Sequence, residues 1–435
     1  MLPELKTEIP GPRSLALAAE LRQWENPNIT YVDPEGRFPV FWESARGCLV
    51  TDVDGNTFLD LTAAFGVAAV GHTHPRVAAA LAEQSQKLIH GMGDVHPSAV
   101  KVALARKIAE RTPGDLGHVL LGANGGDAVE AAVKSARLAT GKPGVLAFTG
   151  GYHGLTFGAL AVTARDDFRA PFSGQVPPFA RHVPYPDPGT TDPGPCLEAV
   201  EAALRAEPQI GAVIAEPIQG RGGIVVPPPG WLAGLREVCD RNHVLLILDE
   251  IFTGWGRTGH WFVCGAEGVV PDILCIGKAM GGGFPISACA VRPHVAAAWG
   301  PSQGEALHTS TFLGSPLGCA AALAAISVLE EQNLPERARE VGTYFLERLG
   351  GLAARHPETV AGVRGRGLML GLVCHRKETA LALVYELLRR GLIVLPAGPG
   401  DVLEFVPPLV IETAQIDYAI GQMDAALAAA RKDTL

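Results

Sequence analysis

Residues 244–278 contain two apolar runs, each of which ends in a chemically reactive side chain. The first begins the segment VLLILDEIFTGWGRTG (244–259) and delivers Asp249, and the second, in PDILCIGK (271–278), ends at Lys278. In open parallel α/β sheets, ligands bind at the carboxyl ends of the strands. The sequence therefore predicts that this acid and this amine reach the same edge of one sheet. Either residue alone would be ordinary at the end of a buried strand, but the pair indicates chemistry.

The composition is typical of a large α/β enzyme. The chain has 435 residues, of which 52 are glycine and only 6% are aromatic. Because a single core stops growing beyond about 250–300 residues, this length predicts one large domain and at least one smaller domain. The formal net charge of −9, with no block of Lys and Arg, argues against a nucleic-acid-binding surface.

The eight cysteines and the N-terminus predict a reducing compartment. No CxxC pair occurs, and no Cys–His spacing is typical of zinc, so no metal site is predicted. The N-terminus has no apolar core of signal-peptide length, and no run is long enough to cross a membrane. We therefore expect a cytoplasmic protein that does not enter a membrane.

Short apolar runs alternate with helical patterns from residue 119 onward. This alternation predicts an α/β fold with a mostly parallel central sheet in a large domain, residues 71–325. Residues 1–70 are predicted to form an N-terminal arm and a hairpin around Asp54-Gly55, a strong turn signal. Together with residues 326–435, the hairpin is expected to complete a smaller α+β domain.

Three further loops follow predicted strands and carry polar side chains. Residues 122–130, GANGGDAVE, open a helix, and glycines at a helix N-terminus leave backbone N–H groups free to bind a phosphate. Residues 150–154, GGYHG, contain Tyr152, which could stack on a flat ring, and His153. Residues 216–221, EPIQGR, place Glu216 and Arg221 at another strand end. Each loop alone could be an ordinary turn, but their coincidence with Asp249 and Lys278 indicates one site.

The sequence resembles the class III aminotransferases, which are fold-type I enzymes dependent on pyridoxal 5'-phosphate. The matching segments span nearly the whole chain and are GHTHPRV, NGGDAVEAAVKSAR, FTGGYHGLTFGAL, AEPIQG, LILDEIFTGWGRTG, CIGKAMGGGFPISA, HTSTFLGSPLGCAAALA and VRGRGLMLGL. The resemblance implies an enzyme that moves an amino group from an amine or amino-acid donor to a keto acid. It also implies that pyridoxal phosphate is the cofactor.

Individual roles are carried over from the resemblance. Lys278 matches the lysine that forms a Schiff base with the cofactor and later transfers the proton, and Asp249 matches the acid paired with the pyridine nitrogen. Thr311 matches the threonine that reaches the partner's cofactor phosphate, which implies a homodimer with shared active sites. The other positions expected to contact the cofactor are Asn124, Gly125, Gly126, Tyr152, His153, Glu216 and Phe252.

Several positions depart from the family pattern. Asn124 replaces a serine but still offers a donor to the phosphate, and Phe252 replaces a residue that is polar in many members. At Leu155, members that act on γ-aminobutyrate or acetylornithine carry an arginine that binds a distal carboxylate. That contact is lost in this chain, so Leu155 is expected to face the substrate.

Arg221 and Glu404 reverse the charges of a pair found in members with two acidic substrates. We expect the two side chains to form a salt bridge near the substrate entrance, which Arg221 could leave to bind a substrate carboxylate. Alternatively, both are solvated charges at the rim.

Two other functions stay open from the sequence. An amino-acid racemase or epimerase on the same scaffold needs the same lysine and acid and differs in where the proton returns. A noncatalytic paralogue is the other alternative, although intact Lys278 and Asp249 argue against it.

Overall fold

The computed structural model describes residues 1–31, 33 and 37–432, without the side chains of residues 430–432. The strands, in chain order, are β1 (Trp42–Arg46), β2 (Leu49–Asp52), β3 (Thr57–Asp60), β4 (His118–Gly122), β5 (Gly144–Phe148), β6 (Ala180–Val183), β7 (Ile210–Ala215), β8 (Leu245–Asp249), β9 (Ile273–Ile276), β10 (Ser287–Val291), β11 (Val360–Arg366), β12 (Met369–Cys374), β13 (Leu392–Ile393), β14 (Leu395–Ala397) and β15 (Val402–Phe405).

The helices lie between and after these strands. In chain order they are α1 (Pro12–Trp24), α2 (Ala63–Gly66), α3 (Pro75–Lys87), α4 (Ala99–Arg111), α5 (Gly125–Thr140), α6 (Phe157–Val162), α7 (Asp166–Arg169), α8 (Gly194–Ala206), α9 (Trp231–Arg241), α10 (Val263–Ala266), α11 (Pro293–Ala297), α12 (Pro316–Glu331), α13 (Leu334–Arg355), α14 (Lys377–Leu388) and α15 (Thr413–Lys432), with 3₁₀ turns at Ala170–Phe172 and Lys278–Gly281.

A seven-stranded sheet in the order β4-β10-β9-β8-β7-β5-β6 forms the centre of the molecule. Strands β9, β8, β7, β5 and β6 run parallel, and β10 is antiparallel to both of its neighbours. The predicted α/β fold with a mostly parallel sheet is therefore confirmed. The strand direction reverses between β9 and β10 and again between β10 and β4, so β4 runs in the same direction as the parallel strands. The carboxyl end of β4 therefore lies at the same sheet edge as theirs.

The apolar runs are continuous because this sheet is covered on both faces. Every residue of β7, β9 and β10 is buried. Successive residues of β8 alternate between two cores: Leu246 and Leu248 join the core that contains Trp231, whereas Ile247 joins the core that contains residues of α5. The polar residues that follow these strands are thus held at the edge of a rigid layer.

Two smaller sheets are formed by the terminal segments. The predicted hairpin is confirmed, since β2 and β3 pair antiparallel on either side of Asp54-Gly55. Its strand β3 also pairs in parallel with β13, which connects the N-terminal segment to the C-terminal one. Strands β11, β12, β15 and β14 form an antiparallel sheet. Strands β6 and β15 have only four residues each, and so short a pattern is ambiguous in the sequence alone.

The domain limits after residues 70 and 325 stay predictions. Residues 32, 34–36 and 433–435 of the two terminal segments lie outside the described residues. Across the described ranges, no helix combines the length and apolar character needed to span a bilayer.

Candidate active site

The carboxyl ends of the central strands meet in one cavity of about 720 Å³. All residues predicted for the site except Thr311 and Glu404 line it. These lining residues are Asn124, Gly125, Gly126, Tyr152, His153, Leu155, Glu216, Arg221, Asp249, Phe252 and Lys278. The sheet therefore brings side chains that are more than 150 positions apart in sequence into one space.

The N-terminus of α5 forms an anion cradle at one side of the cavity. Asn124 caps the helix by accepting from the Asp127 amide at 3.2 Å, while Asp127 accepts from the Asn124 amide at 3.2 Å. The amides of Gly125 and Gly126 donate to no acceptor among the described residues. A Cβ at Gly126 would stand 3.0 Å from Asn124 Oδ1 and 3.1 Å from Thr156 Cγ2. The cradle therefore has free donors and leaves little room for a side chain at Gly126.

Asp249 is held at the end of β8 by a buried histidine. Its Oδ2 lies 2.8 Å from His153 Nδ1, and its Oδ1 accepts from the Ile251 amide at 3.0 Å. Burial alone would lower the pKa of His153, but its hydrogen bond to Asp249 and the charges of Asp249 and Glu216 raise it above the ordinary value. His153 therefore fixes the Asp249 side chain at the end of β8, and both residues line the cavity.

Lys278 presents an amine with no charged partner at hydrogen-bond distance. No hydrogen bond or ion pair joins Nζ to another described residue, and the nearest ring, Phe252, has its centroid 3.7 Å from Nζ. Burial lowers the pKa of Lys278, although the charges of Asp249, Glu404 and Glu216 raise it. The backbone φ of Lys278 is 41°, a conformation that non-glycine residues seldom adopt. Such strain is common where a structure holds a reactive group in place.

Glu216 sits between the loops that follow β5 and β7. Its Oε2 accepts from the Tyr152 amide at 3.0 Å and its Oε1 from the Gly220 amide at 3.1 Å. Burial raises the pKa of Glu216 to about 7, although the charge of His153 lowers it. The carboxyl group therefore fixes the loop that carries Tyr152.

Tyr152 lies beside Arg221 and Phe168. Its ring centroid is 5.8 Å from the Arg221 guanidinium carbon and 5.7 Å from the Phe168 ring centroid. Burial raises the pKa of the Tyr152 phenol, so this side chain stays neutral at ordinary pH.

The expected salt bridge between Arg221 and Glu404 is not formed. Arg221 makes no ion pair in the described part of the chain, and its guanidinium lies over Tyr152. Glu404 belongs to β15, is only 4% exposed, and its Oε2 has no hydrogen-bond partner among the residues that the structure describes. Burial raises the pKa of Glu404, while the positive charges of Lys278, Arg221 and Arg257 lower it. The alternative of solvated rim charges is also wrong for Glu404, because strand pairing holds it inside the protein.

Thr311 lies on the surface of the single chain and outside the cavity. Its neighbour Thr309 donates to Asp94 at 2.6 Å, and the His90 and Phe312 rings are 5.2 Å apart. Residues 88–95 and 309–313 therefore form one surface. Ile89, Met92 and Phe312 on this surface are 63%, 55% and 63% exposed.

Parts of the cavity wall were not predicted from the sequence. Trp42 from β1, His72, and the segments 64–68 and 283–286 also contribute lining residues. The small residues of TAAFGVAAV (62–70) carry a signal for close packing, but nothing in the sequence places them against Lys278. His72 has a structural role, because its Nε2 lies 2.7 Å from Asp60 Oδ2. No group of three or more potential metal ligands occurs in the described ranges.

Residues 30–427 match the family model described as Aminotransferase class-III. The acetylornithine aminotransferase of Methanopyrus kandleri is 41% identical over 92% of this chain and 97% of its own length. The acetylornithine aminotransferase of Methanosarcina mazei is 39% identical over 90% of this chain and 92% of its own length.

Solved transaminases share the fold over almost the whole chain. The ornithine aminotransferase of Toxoplasma gondii has a TM-score of 0.86 and 31% identity, with 99% of this chain and 97% of that chain covered. An amine transaminase from an uncultivated Pseudomonas species, described as PLP-bound, has a TM-score of 0.85 and 31% identity, with 93% and 98% covered.

Proposed function

Because the chain belongs to the class III aminotransferase family, we propose that the cavity at the strand ends is its active site and that Lys278 and Asp249 carry the chemistry. The protein is a pyridoxal-phosphate-dependent aminotransferase. When bound, pyridoxal phosphate supplies an electron sink for the carbanion formed at the substrate carbon. The observation that carries the residue assignment is the convergence of a lysine without a polar partner among the described residues, a buried acid and a helix N-terminus with free amides.

The residues of the cavity fit this cofactor. The free amides of Gly125 and Gly126, with Asn124 beside them, would hold the phosphate at the positive end of the α5 dipole. Asp249 would hold a proton on the pyridine nitrogen, and His153 would orient Asp249.

The walls of the cavity would complete the ring site. Tyr152 would cover one part of the ring, Glu216 would fix the loop that carries Tyr152, and Phe252 would contact Lys278.

Lys278 would hold the cofactor aldehyde and, once released by a donor, move the proton. A buried amine with a lowered pKa is neutral more often at ordinary pH, so it can act as a general base. The same amine, once protonated, can return the proton.

The substrates are an amino donor and a keto acid, and Arg221 is the residue we assign to a substrate carboxylate. It lines the cavity without a carboxylate partner among the described residues, and its planar head suits bidentate binding. Leu155, half exposed and also lining the cavity, would offer an apolar wall where acetylornithine-type relatives need a cation. Glu404 is buried and would act on the substrate-binding part of the cavity through its electrostatic interactions with Arg221 and Lys278.

A homodimer would complete the site, with Thr311 reaching the phosphate of the partner. The exposed apolar side chains beside Thr311 support this assembly, because isolated chains seldom leave so many together in water. The eight cysteines are all buried and unpaired, which agrees with the cytoplasm as the compartment we propose.

Lys278→Ala tests the assignment most simply. We expect the variant to fold, to lose the absorbance of covalently held cofactor, and to lose turnover. A variant that keeps either property would refute the role of Lys278. Racemisation is tested in the same preparation of wild-type enzyme: one amino acid, incubated without a keto acid, should convert the cofactor once and keep its chirality. Inversion of the amino acid without amino transfer would favour the racemase.

A further inference from the structure

The amine of Lys278 rests on one aromatic face. Its Nζ lies 3.7 Å from the centroid of the Phe252 ring, and no carboxylate, hydroxyl or carbonyl of the described residues lies at hydrogen-bond distance. A carboxylate partner would hold the amine in its charged form, whereas a ring face attracts an ammonium group and accepts no proton from it. The ring therefore attracts the protonated amine and fixes its position, and it takes no proton from it.

The Phe252 ring is wedged between two glycines. A Cβ on Gly220 would stand 2.3 Å from Phe252 Cδ1, and a Cβ on Gly66 would stand 2.6 Å from Cε2. Neither distance is possible between carbon atoms that are not bonded to each other, so a larger residue at either glycine would displace the ring. Phe252 is 8% exposed. The ring thus has one available place, and that place is against Lys278.

Gly66 ends a left-handed turn formed by α2. The φ angles of Ala63, Ala64, Phe65 and Gly66 are 46°, 48°, 64° and 79°. Three consecutive non-glycine residues in this region are unfavourable and need support from their surroundings. The turn therefore depends on contacts with the rest of the protein, and it lies beside the cavity, which Ala64 lines.

Asp60 supplies that support. Its Oδ1 accepts from the Thr62 amide at 2.7 Å and the Thr62 hydroxyl at 2.6 Å, and its Oδ2 accepts from the Ala64 amide at 3.2 Å. His72 Nε2 lies 2.7 Å from Oδ2 and holds the carboxylate from the other side. Asp60 and His72 are fully or almost fully buried, so the turn is anchored in the protein interior.

We propose that Phe252 is a positioning residue: its ring, held by the turn Ala63–Gly66, keeps the Lys278 amine in place whenever that amine is not bonded to the cofactor. The proposal rests on the role assigned to Lys278 above. The charged groups that face Lys278 are Asp249, Glu404 and Glu216, which favour its protonated form, and Arg221, which opposes it. The Phe252 ring adds a short-range attraction that none of these groups provides.

Phe252→Leu tests the contact without the cofactor. In the full-length protein freed of cofactor, trace acetylation with acetic anhydride at a series of pH values, read by mass spectrometry, gives the titration midpoint of Lys278. Leu keeps apolar bulk and removes the ring face, so we expect the midpoint to move to lower pH. An unchanged or higher midpoint would overturn the proposal. Phe148→Leu is the control, because Phe148 is also buried but packs on Tyr185 and Trp231.

The same variant is then tested as holoenzyme. In a single turnover with an amino donor, we expect Phe252→Leu to be about tenfold slower, with donor affinity unchanged. The deuterium isotope effect at the donor carbon should increase, because proton transfer would become slower relative to the other steps. A variant that loses only thermal stability, at a normal rate and isotope effect, would reduce Phe252 to a packing residue.

Gly66→Ala tests the wedge, and Gly47→Ala is its matched control. Both glycines have positive φ, 79° and 61°, but a Cβ at Gly47 meets nothing within 4 Å. The two variants thus share the backbone cost, and only Gly66→Ala presses on Phe252. We expect Gly66→Ala to shift the Lys278 midpoint and slow the single turnover, while Gly47→Ala changes neither. Equal behaviour of the two variants would contradict the wedge.

The outcomes separate this proposal from the proposed function. If Lys278→Ala keeps its turnover, the assignment of Lys278 fails. If Lys278→Ala is inactive while Phe252→Leu matches wild type in midpoint and rate, only the positioning role of Phe252 fails.

Discussion

The side of the cavity that we assign to the cofactor and the side that we assign to the substrate differ in how their side chains are held. On the cofactor side, Asp249 bonds to the buried His153, Glu216 accepts from the Tyr152 amide, and Lys278 lies against the Phe252 ring. On the substrate side, Arg221 has no ion pair within the described ranges, and Leu155 is 50% exposed. Side chains with hydrogen-bonded partners are held in one geometry, whereas a charge without an ion pair and an exposed apolar side chain remain available to bind a ligand. The difference agrees with our proposal that one side carries the reaction and the other selects the substrate.

The largest effect should come from removing a charge on the cofactor side. We expect Asp249→Asn to lower single-turnover rates about a thousandfold, because a buried cation then loses its charged partner. The measurement is cofactor absorbance after mixing with an amino donor. Asp272→Asn is the control: it removes a buried carboxylate that binds Arg236 at 2.7 Å and lies before β9, at the opposite sheet edge. This control should lower Tm and leave the rate per folded enzyme unchanged. If both variants have the same rate, the contrast between the two sides fails.

The second effect concerns the pH dependence of stability. The pKa of Glu216 is raised by burial from 4.5 to about 7. A carboxyl group with a raised folded pKa stabilises the fold below the unfolded pKa, and this contribution is lost as pH rises from about 4.5 through about 7. The amount lost is up to about 3 kcal/mol. The decrease in Tm between pH 5 and pH 8 should therefore be smaller in Glu216→Gln than in wild type. The exposed variant Glu378→Gln should behave as wild type, and an unaltered decrease in Glu216→Gln would argue against a buried neutral carboxyl group.

A smaller effect is expected at Arg221. Charge-assisted hydrogen bonds contribute about 1.5–3 kcal/mol, so Arg221→Ala should raise the KM for a keto acid about tenfold to a hundredfold. An amine donor that lacks a carboxylate should keep its KM, which provides a control within the same variant. The surface variant Arg181→Ala should change neither value. Equal KM changes for both substrates would show that Arg221 shapes the cavity and does not bind the carboxylate.

The smallest effect is expected at Leu155. Because this side chain is half exposed, Leu155→Ala removes only part of an apolar wall, and the KM for a long aliphatic donor should rise about three- to fivefold. A short donor should be unaffected. A loss of turnover with every donor would place Leu155 on the cofactor side of the comparison.

The regular parts of the fold, and the meeting of most predicted site residues in one cavity, could be predicted because their signals are local. The apolar runs before Asp249 and Lys278 predict the ends of two strands within a few residues. The glycine loop at Asn124 predicts the start of a helix equally closely. The family resemblance then supplied roles for these positions.

The remaining features depend on contacts between distant segments. The bond between His153 and Asp249 joins residues 96 positions apart, and no pattern near either one predicts it. The left-handed turn Ala63–Gly66 is held by Asp60 and not by turn-forming residues. The salt bridge of Arg221 with Glu404 was inferred from opposite charges, but strand pairing in β15 fixes Glu404 inside the protein, where Arg221 does not meet it.

Reduction of the purified enzyme with borohydride, followed by peptide mass spectrometry, tests the central claim most directly. Borohydride makes the bond between a lysine and the cofactor aldehyde permanent, so the modified peptide identifies the lysine. We predict that the mass of reduced cofactor is found on Lys278 and on no other lysine. The cofactor on a different lysine, or on none, would contradict the account.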